Sequence, residues 1–288
     1  MIANVTAVTM NEKMDVLFGA YLGVADGKIS YLGKTPPEER PATIVDGTGM
    51  VVMPGFVNGH TRLCTTVLRS LLDDMPRAQA LEQQLLRMDK LDFAGAKASA
   101  QLGIAECLRF GITSVSDLDF FPEAVAEAVA ESGIKANIAL SAYRYIDELE
   151  EFDFETDEQC QELVRVVNKW NGHDEGRIRI DAGIHSEYTS NHKLWEALAA
   201  YAQEVGIGMQ LHLAETRSEA ESCLDRTGLS QAELLDCHVA LLLGLLEQML
   251  HKIAMSGLSA SISATIFTSS LEKSITNSSC TCKTSFAW

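Results

Sequence analysis

The chain contains no apolar run close to the roughly 20 residues that a membrane-spanning helix needs. Its longest candidate, Val239 to Leu246, falls far short. The N-terminus lacks a basic region followed by a hydrophobic segment, which argues against secretion. Basic residues are scarce: 23 Lys and Arg stand against 40 Asp and Glu, for a net charge of −17. Nucleic acid and anionic membrane surfaces would be repelled by such a chain, so neither is expected as a partner. The seven Cys (64, 107, 160, 223, 237, 280 and 282) form an odd, scattered set rather than a disulfide framework. A reduced, cytoplasmic setting is the expectation. No strand is followed by the glycine fingerprint of a dinucleotide or phosphate loop, and no short internal repeat is present.

What is present is ample core material, 47% hydrophobic residues in 288. Residues 1–52 read as a small β-domain. Val5-Thr6-Ala7-Val8-Thr9 is rich in β-branched residues, and Ala25-Asp26-Gly27-Lys28 is a hairpin signal before a strand at Ile29–Leu32. From residue 53 to residue 238, strands alternate with amphipathic helices. The pattern predicts strands at 51–58, 113–117, 135–142, 177–184 and 208–213. It predicts helices near 95–110 (stopped by Gly111), from Pro122 to Gly133, from a capping box at Thr156-Asp157-Glu158-Gln159 to Trp170, and around Leu194–Tyr201. Five strand–helix units in series predict an α/β fold with a parallel sheet, a (β/α)8 TIM-type barrel rather than a doubly wound sheet.

Residues 239–288 are different in kind. They hold only two acids, Glu247 and Glu272, with ten Ser and five Thr. Two readings stand side by side, a polar tail and a corrupted reading frame or truncation. Cys280-Thr281-Cys282 lacks the further ligands of a metal site, and chance is the better account. The acidic run from Asp147 to Glu155 reads as a solvated loop, since it lacks the ligand spacing and turn glycine of a calcium loop.

In a (β/α) barrel, chemistry sits where strands end and loops begin. His60, Asp117, His185, His212 and Glu215 all fall there. Neutral imidazoles are good ligands for Zn²⁺ or Fe²⁺, and a bound metal makes hydroxide available near neutral pH. Glu215, three residues past His212, could carry a proton between that water and a leaving nitrogen. A single His at a strand end is more often structural; three at three separate strand ends weaken that bland account.

Pro54-Gly55-Phe56-Val57-Asn58-Gly59-His60-Thr61 resembles the first-strand motif of the amidohydrolase superfamily, in which His-x-His supplies two metal ligands. Leu68-Arg69-Ser70 and Asp73-Asp74-Met75-Pro76 are similar to the cytosine deaminase-like branch, with its methylthioadenosine/S-adenosylhomocysteine deaminases and s-triazine hydrolases. Phe110 to Asp117, His185-Ser186-Glu187-Tyr188-Thr189 and His212-Leu213-Ala214-Glu215-Thr216 resemble later motifs of the same branch, in order, from about residue 5 to about 238. The resemblance implies a metal-dependent hydrolase of carbon–nitrogen bonds other than peptide bonds, a deaminase of an aminated purine, pyrimidine or triazine. His60 and His212 would bind one divalent metal, Zn first and Fe second; His185 would contact the substrate; Glu215 would be the catalytic acid/base. The partner implied is a small-molecule substrate, with a homodimer as one assembly among relatives. The zinc deaminases built on His-x-Glu and Pro-Cys-x-x-Cys are a different architecture, and neither signature occurs.

The chain departs from this pattern twice. Arg62 stands where the family has its second His; a guanidinium stays protonated and has no lone pair to donate. At ~4 Å with an effective dielectric near 20, one unit-charge repulsion is about 4 kcal/mol, and a divalent ion roughly doubles it. The family's last ligand, an Asp ending the eighth strand, has no counterpart, because no Asp follows Asp236. These departures keep an alternative open: an inactive relative or a truncated product, with no metal bound and the barrel incomplete.

Overall fold

The computed structural model describes residues 1–238 other than 40, 89 and 148. The segment 239–288, with Cys280 and Cys282, lies outside the described residues. The backbone separates into two compact units, with the division between Phe56 and Val57.

In the first unit β1 (Ile2–Val8) is central. It pairs antiparallel with β2 (Val16–Ala25) and parallel with two short strands, β4 (Val45–Asp46) and β5 (Val51–Val52). β3 (Lys28–Gly33) is joined to β2 by the expected hairpin. Asp26 and Gly27 both take positive φ (51° and 72°), the backbone that a two-residue turn between right-twisted strands requires. Val5, Ala7 and Ala20 form a small core, with Ile2, Leu17 and Val52 packed on it.

In the second unit five strands lie in the order β10–β9–β8–β7–β6, the sequential neighbours of a strand–helix series. They are β6 (Phe56–Thr61), β7 (Ile112–Asp119), β8 (Lys135–Leu140), β9 (Ile178–Ser186) and β10 (Met209–His212), and the pairings from β7 to β10 are parallel. The helices are α1 (Arg77–Met88), α2 (Phe93–Arg109), α3 (Pro122–Ser132), α4 (Glu158–Trp170), the single turn α5 (His173–Gly176), α6 (His192–Val205), α7 (Arg217–Thr227) and α8 (Gln231–His238). Ile138, Ile180, Ile184, Leu163, Leu194 and Leu198 are fully buried in the layer where sheet meets helices. Burying each such side chain is worth roughly 1.5–3 kcal/mol.

The sheet is curled, as a barrel demands. Ser116 on β7 donates to Gln210 on β10 at 3.2 Å, although β8 and β9 lie between them in the sheet. Asn137 on β8 and Gln210 both donate to Asp181 on β9, at 2.6 and 3.1 Å, so one polar layer crosses the concave face. The fold is α/β with the architecture of a partial (β/α) barrel.

Several local readings change in detail. The strand expected over 51–58 is broken at Met53-Pro54-Gly55, where proline cannot donate to a ladder: β5 belongs to the first unit's sheet, and β6 starts the second. The cap of α4 is Asp157, not Thr156; its carboxylate accepts from Gln159 and Cys160 at 3.1 and 3.0 Å, while Thr156 bonds back to Asp153. β9 continues through His185 and Ser186.

Candidate active site

Three imidazoles converge from three strand ends. The His212 ring centroid lies 5.0 Å from that of His60 and 5.3 Å from that of His185. His60 comes from β6 and His212 from β10, the two outermost strands of the described sheet, so only the curl of that sheet brings them together. Glu215 follows one turn later, across Ala214 in the left-handed region at φ 48°, and acts electrostatically on both His60 and His212.

The hydrogen bonds settle how these rings are set. His212 Nδ1 is 2.6 Å from the His185 carbonyl oxygen, which can only accept, so Nδ1 carries the hydrogen. The lone pair of neutral His212 is therefore on Nε2. Burial, the nearby Arg62 charge and His60 together pull the His212 pKa down to about 4, so the ring is neutral at pH 7. His185 is buried, with Nδ1 3.2 Å from Thr189 Oγ1 and its ring stacked at 6.2 Å on Phe120. The Thr189 hydroxyl hydrogen is given to the Ser186 carbonyl, so His185 Nδ1 is the donor of that pair.

Arg62 enters the same cluster. Its Nη2 lies 3.1 Å from His212 Nε2, and since a guanidinium only donates, it takes the one lone pair His212 has left. Its place is fixed from behind. Leu63 N–H donates to Asp117 at 2.8 Å, Cys64 N–H donates to Asp119 at 2.8 Å, and Thr65 closes on the Arg62 carbonyl through both backbone and hydroxyl. The 3₁₀ turn that follows, Leu63–Leu68, packs on α2 at Gly103, where a Cβ would come within 2.8 Å of Thr66 Oγ1. Asp117, placed by sequence among the strand-end groups, thus faces the backbone of this turn.

Asp117 and Asp119 are two residues apart on one strand, fully buried, and both carboxyls are raised above the ordinary range. Burial is the main cause, and for Asp117 the neighbouring Asp119 adds to it; one Asp117 oxygen is buried without a hydrogen-bond partner among the described residues. A folded-state pKa above the unfolded value near 4 means that folding favours the proton. That contribution is complete below the unfolded value and is lost as pH rises through the folded one. Asp117→Asn keeps an acceptor for Leu63 and removes the charge. Wild type is therefore expected to lose stability relative to Asp117→Asn as pH climbs from 4 to 9. Urea melts across that range read the difference, and a difference independent of pH would refute it.

A divalent metal can be tested against this geometry. Two nitrogens bound at about 2.0–2.1 Å on a tetrahedral ion stand about 3.3–3.4 Å apart. His60 Nε2 and His212 Nε2 are 3.4 Å apart. The spacing suits, but the donor set does not. Arg62 already holds the His212 lone pair, and no cluster of three or more His, Cys, Asp or Glu able to hold a metal occurs among the described residues.

The amidohydrolase family model matches residues 51–271, running on past residue 238. The chain belongs to the amidohydrolase family. It is 32% identical over 241 residues to a 5-methylthioadenosine/S-adenosylhomocysteine deaminase of Acetivibrio thermocellus, covering 81% of this chain and 54% of that one. It is 32% identical over 214 residues to a 5'-deoxyadenosine deaminase of Methanobrevibacter smithii, covering 74% and 48%. The solved atrazine chlorohydrolase of Arthrobacter aurescens TC1, complexed with zinc, superposes with a TM-score of 0.72 at 23% identity over 83% of this chain and 58% of that one; at that identity the likeness establishes the fold. The chain spans about half the length of the curated relatives it matches. No helix among the described residues is long and apolar enough to cross a membrane.

Sequence reasoning missed Asp119, Glu187 and Arg226. Glu187 is two residues beyond His185 and buried, and it takes both Arg226 and Gln231 as donors. Its position inside the His185 motif was the one available signal; nothing in the sequence pointed to Arg226.

Proposed function

We propose that this amidohydrolase is a cytoplasmic hydrolase of carbon–nitrogen bonds that deaminates an aminated heterocycle, a purine, pyrimidine or triazine. The observation that carries the reading is the convergence of His60, His185 and His212, with Glu215 in electrostatic reach. The deaminase names of the relatives support the substrate class, and the zinc in the atrazine chlorohydrolase structure makes zinc the ion to supply in the test.

In this reading water adds to the ring carbon that bears the amino group, and the carbon–nitrogen bond breaks to release ammonia. Glu215 takes a proton from the attacking water and returns it to the leaving nitrogen. His185, held by Thr189 and Phe120, contacts a ring nitrogen or carbonyl and orients the heterocycle. As the donor set stands it does not fit a metal, and no step is routed through one.

A second reading, a cleft that binds a heterocycle without turning it over, has the Arg62–His212 contact behind it. One experiment separates the two. Folded protein supplemented with zinc is assayed for ammonia release from methylthioadenosine, 5'-deoxyadenosine, guanine and aminated s-triazines. Release from any of them supports the deaminase reading. A protein that binds one of these compounds in a thermal-shift series with chelator present, yet releases no ammonia from any, supports the second.

A further inference from the structure

We propose that Arg62 is a resident cation in the place of a metal: its guanidinium holds His212 Nε2, so that a divalent ion reaches the His60–His212 pair only by displacing it. The inference concerns occupancy of the site and stands independently of whether the chain deaminates anything.

Four observations carry it. The two imidazole nitrogens are 3.4 Å apart, a spacing within hydrogen-bond reach that also suits two ligands on one tetrahedral ion, so the pair can share one positive partner. His212 is oriented for such a partner, because its Nδ1–H is used up on the His185 carbonyl and Nε2 must accept. The partner present is Arg62, at 3.1 Å. Finally, the backbone that carries Arg62 is fixed where its side chain can reach the ring. Its carbonyl is bonded by Thr65, and the two following amides are held by the buried Asp117 and Asp119. Those carboxyls also lie within electrostatic reach of the guanidinium, which works against the effect of burial on both.

The chemistry makes the two occupants mutually exclusive. An imidazole nitrogen has one lone pair, and it accepts a hydrogen or binds a metal but not both. A guanidinium stays protonated at any pH the protein survives, so it cannot give way by losing its proton; it must move. Moving it leaves a fixed positive charge beside a divalent one, or takes the charge away from Asp117 and Asp119. Either way the metal binds more weakly than the same two imidazoles would hold it with a neutral residue at position 62.

The test uses Zn²⁺ itself and reads binding, not activity. Zinc dissociation constants are measured by chelator competition on wild type, Arg62→Ala, Arg62→His, His212→Ala and the Arg62→Ala/His212→Ala double variant. Arg62→Ala is expected to bind zinc at least 100-fold more tightly than wild type, and Arg62→His more tightly still. The gain should vanish in the double variant. Equal affinity in wild type and Arg62→Ala overturns the proposal, as does a gain that survives loss of His212. A second measurement needs no variant. In wild type, the long-range ¹H–¹⁵N spectrum should show His212 protonated at Nδ1, with an Nε2 resonance that one equivalent of zinc leaves unmoved; a shift of that resonance to a metal-bound position overturns the proposal. A site that loads zinc in Arg62→Ala but releases no ammonia would count against the deaminase reading and leave this inference intact.

Discussion

Arg226→Ala is expected to lower the unfolding free energy by about 2–3 kcal/mol. Glu187 is only 2% exposed, yet its carboxylate carries three hydrogen bonds: two from Arg226 Nη2, at 2.9 and 3.0 Å, and one from Gln231 at 3.0 Å. Removing the guanidinium leaves a charge in the interior with only neutral partners. Breaking a fully buried pair in this way typically costs about 3–5 kcal/mol. The lower figure applies because the Arg226 side chain is itself 45% exposed, and water can follow into the space it leaves. The matching control is Glu187→Gln/Arg226→Ala, which removes the stranded charge and should recover more than half of the loss. Urea denaturation at neutral pH measures both. A single variant within about 0.5 kcal/mol of wild type would mean that the neutral partners alone satisfy the carboxylate, and that α7 is not tied to the β9 end by this pair. The consequence for the site is direct, because Glu187 begins the 3₁₀ turn immediately after the strand that presents His185.

The same contrast between local and distant partners decides what could be read from the sequence. Pro122, Gly133 and Gly111 announced where helices start and stop, because proline's fixed φ and glycine's left-handed backbone are local properties. Gly133 and Gly111 both sit at φ 78°. The strands ending in His60, His185 and His212 were legible for a similar reason: each is an apolar run with its polar residue at the end. Two of the longer helices were not seen. α1 lies in the polar stretch Arg77–Met88, with no acid in its first turn to mark it. α7 did carry a signal, the reciprocal capping box of Thr216 and Glu219, hidden behind the site motif that ends at Thr216.

The site itself divides the same way. Sequence placed Arg62 in a metal ligand's position and identified it as a cation unable to coordinate. It could not show that the guanidinium would settle on His212, because the two are 150 positions apart and meet only through the curl of the sheet. Nor could it show that β7 would run on to Asp119 and that Asp117 would spend its carboxylate on the Leu63 amide. Hydrogen-bond partners of that range are set by packing, and packing is not written in any one segment.

If the chain is the proposed deaminase, Glu215→Gln is expected to lower kcat for ammonia release by roughly 10²–10⁴-fold, with KM changing by less than about threefold. Glutamine keeps the length, shape and hydrogen-bonding oxygen of the side chain, but it cannot take a proton from water and hand it to a leaving amine. Geometry favours Glu215 over the other acids for this task. Asp117 and Asp119 are buried and committed to backbone amides, and Glu187 is committed to Arg226 and Gln231. Glu215 is solvent-exposed and sits within electrostatic range of the two imidazoles that would face the reacting atom. The left-handed Ala214 is what turns the chain there, a conformation that a non-glycine residue holds at some cost and that strand-end sites tend to retain. Steady-state kinetics on whichever heterocycle is turned over separates the roles. Equal losses in kcat and kcat/KM place Glu215 in the transition state alone. A rise in KM with kcat unchanged would make it a substrate-binding group, and the proton would then have to be carried by another residue of the cluster, with His185 the first to test by His185→Asn.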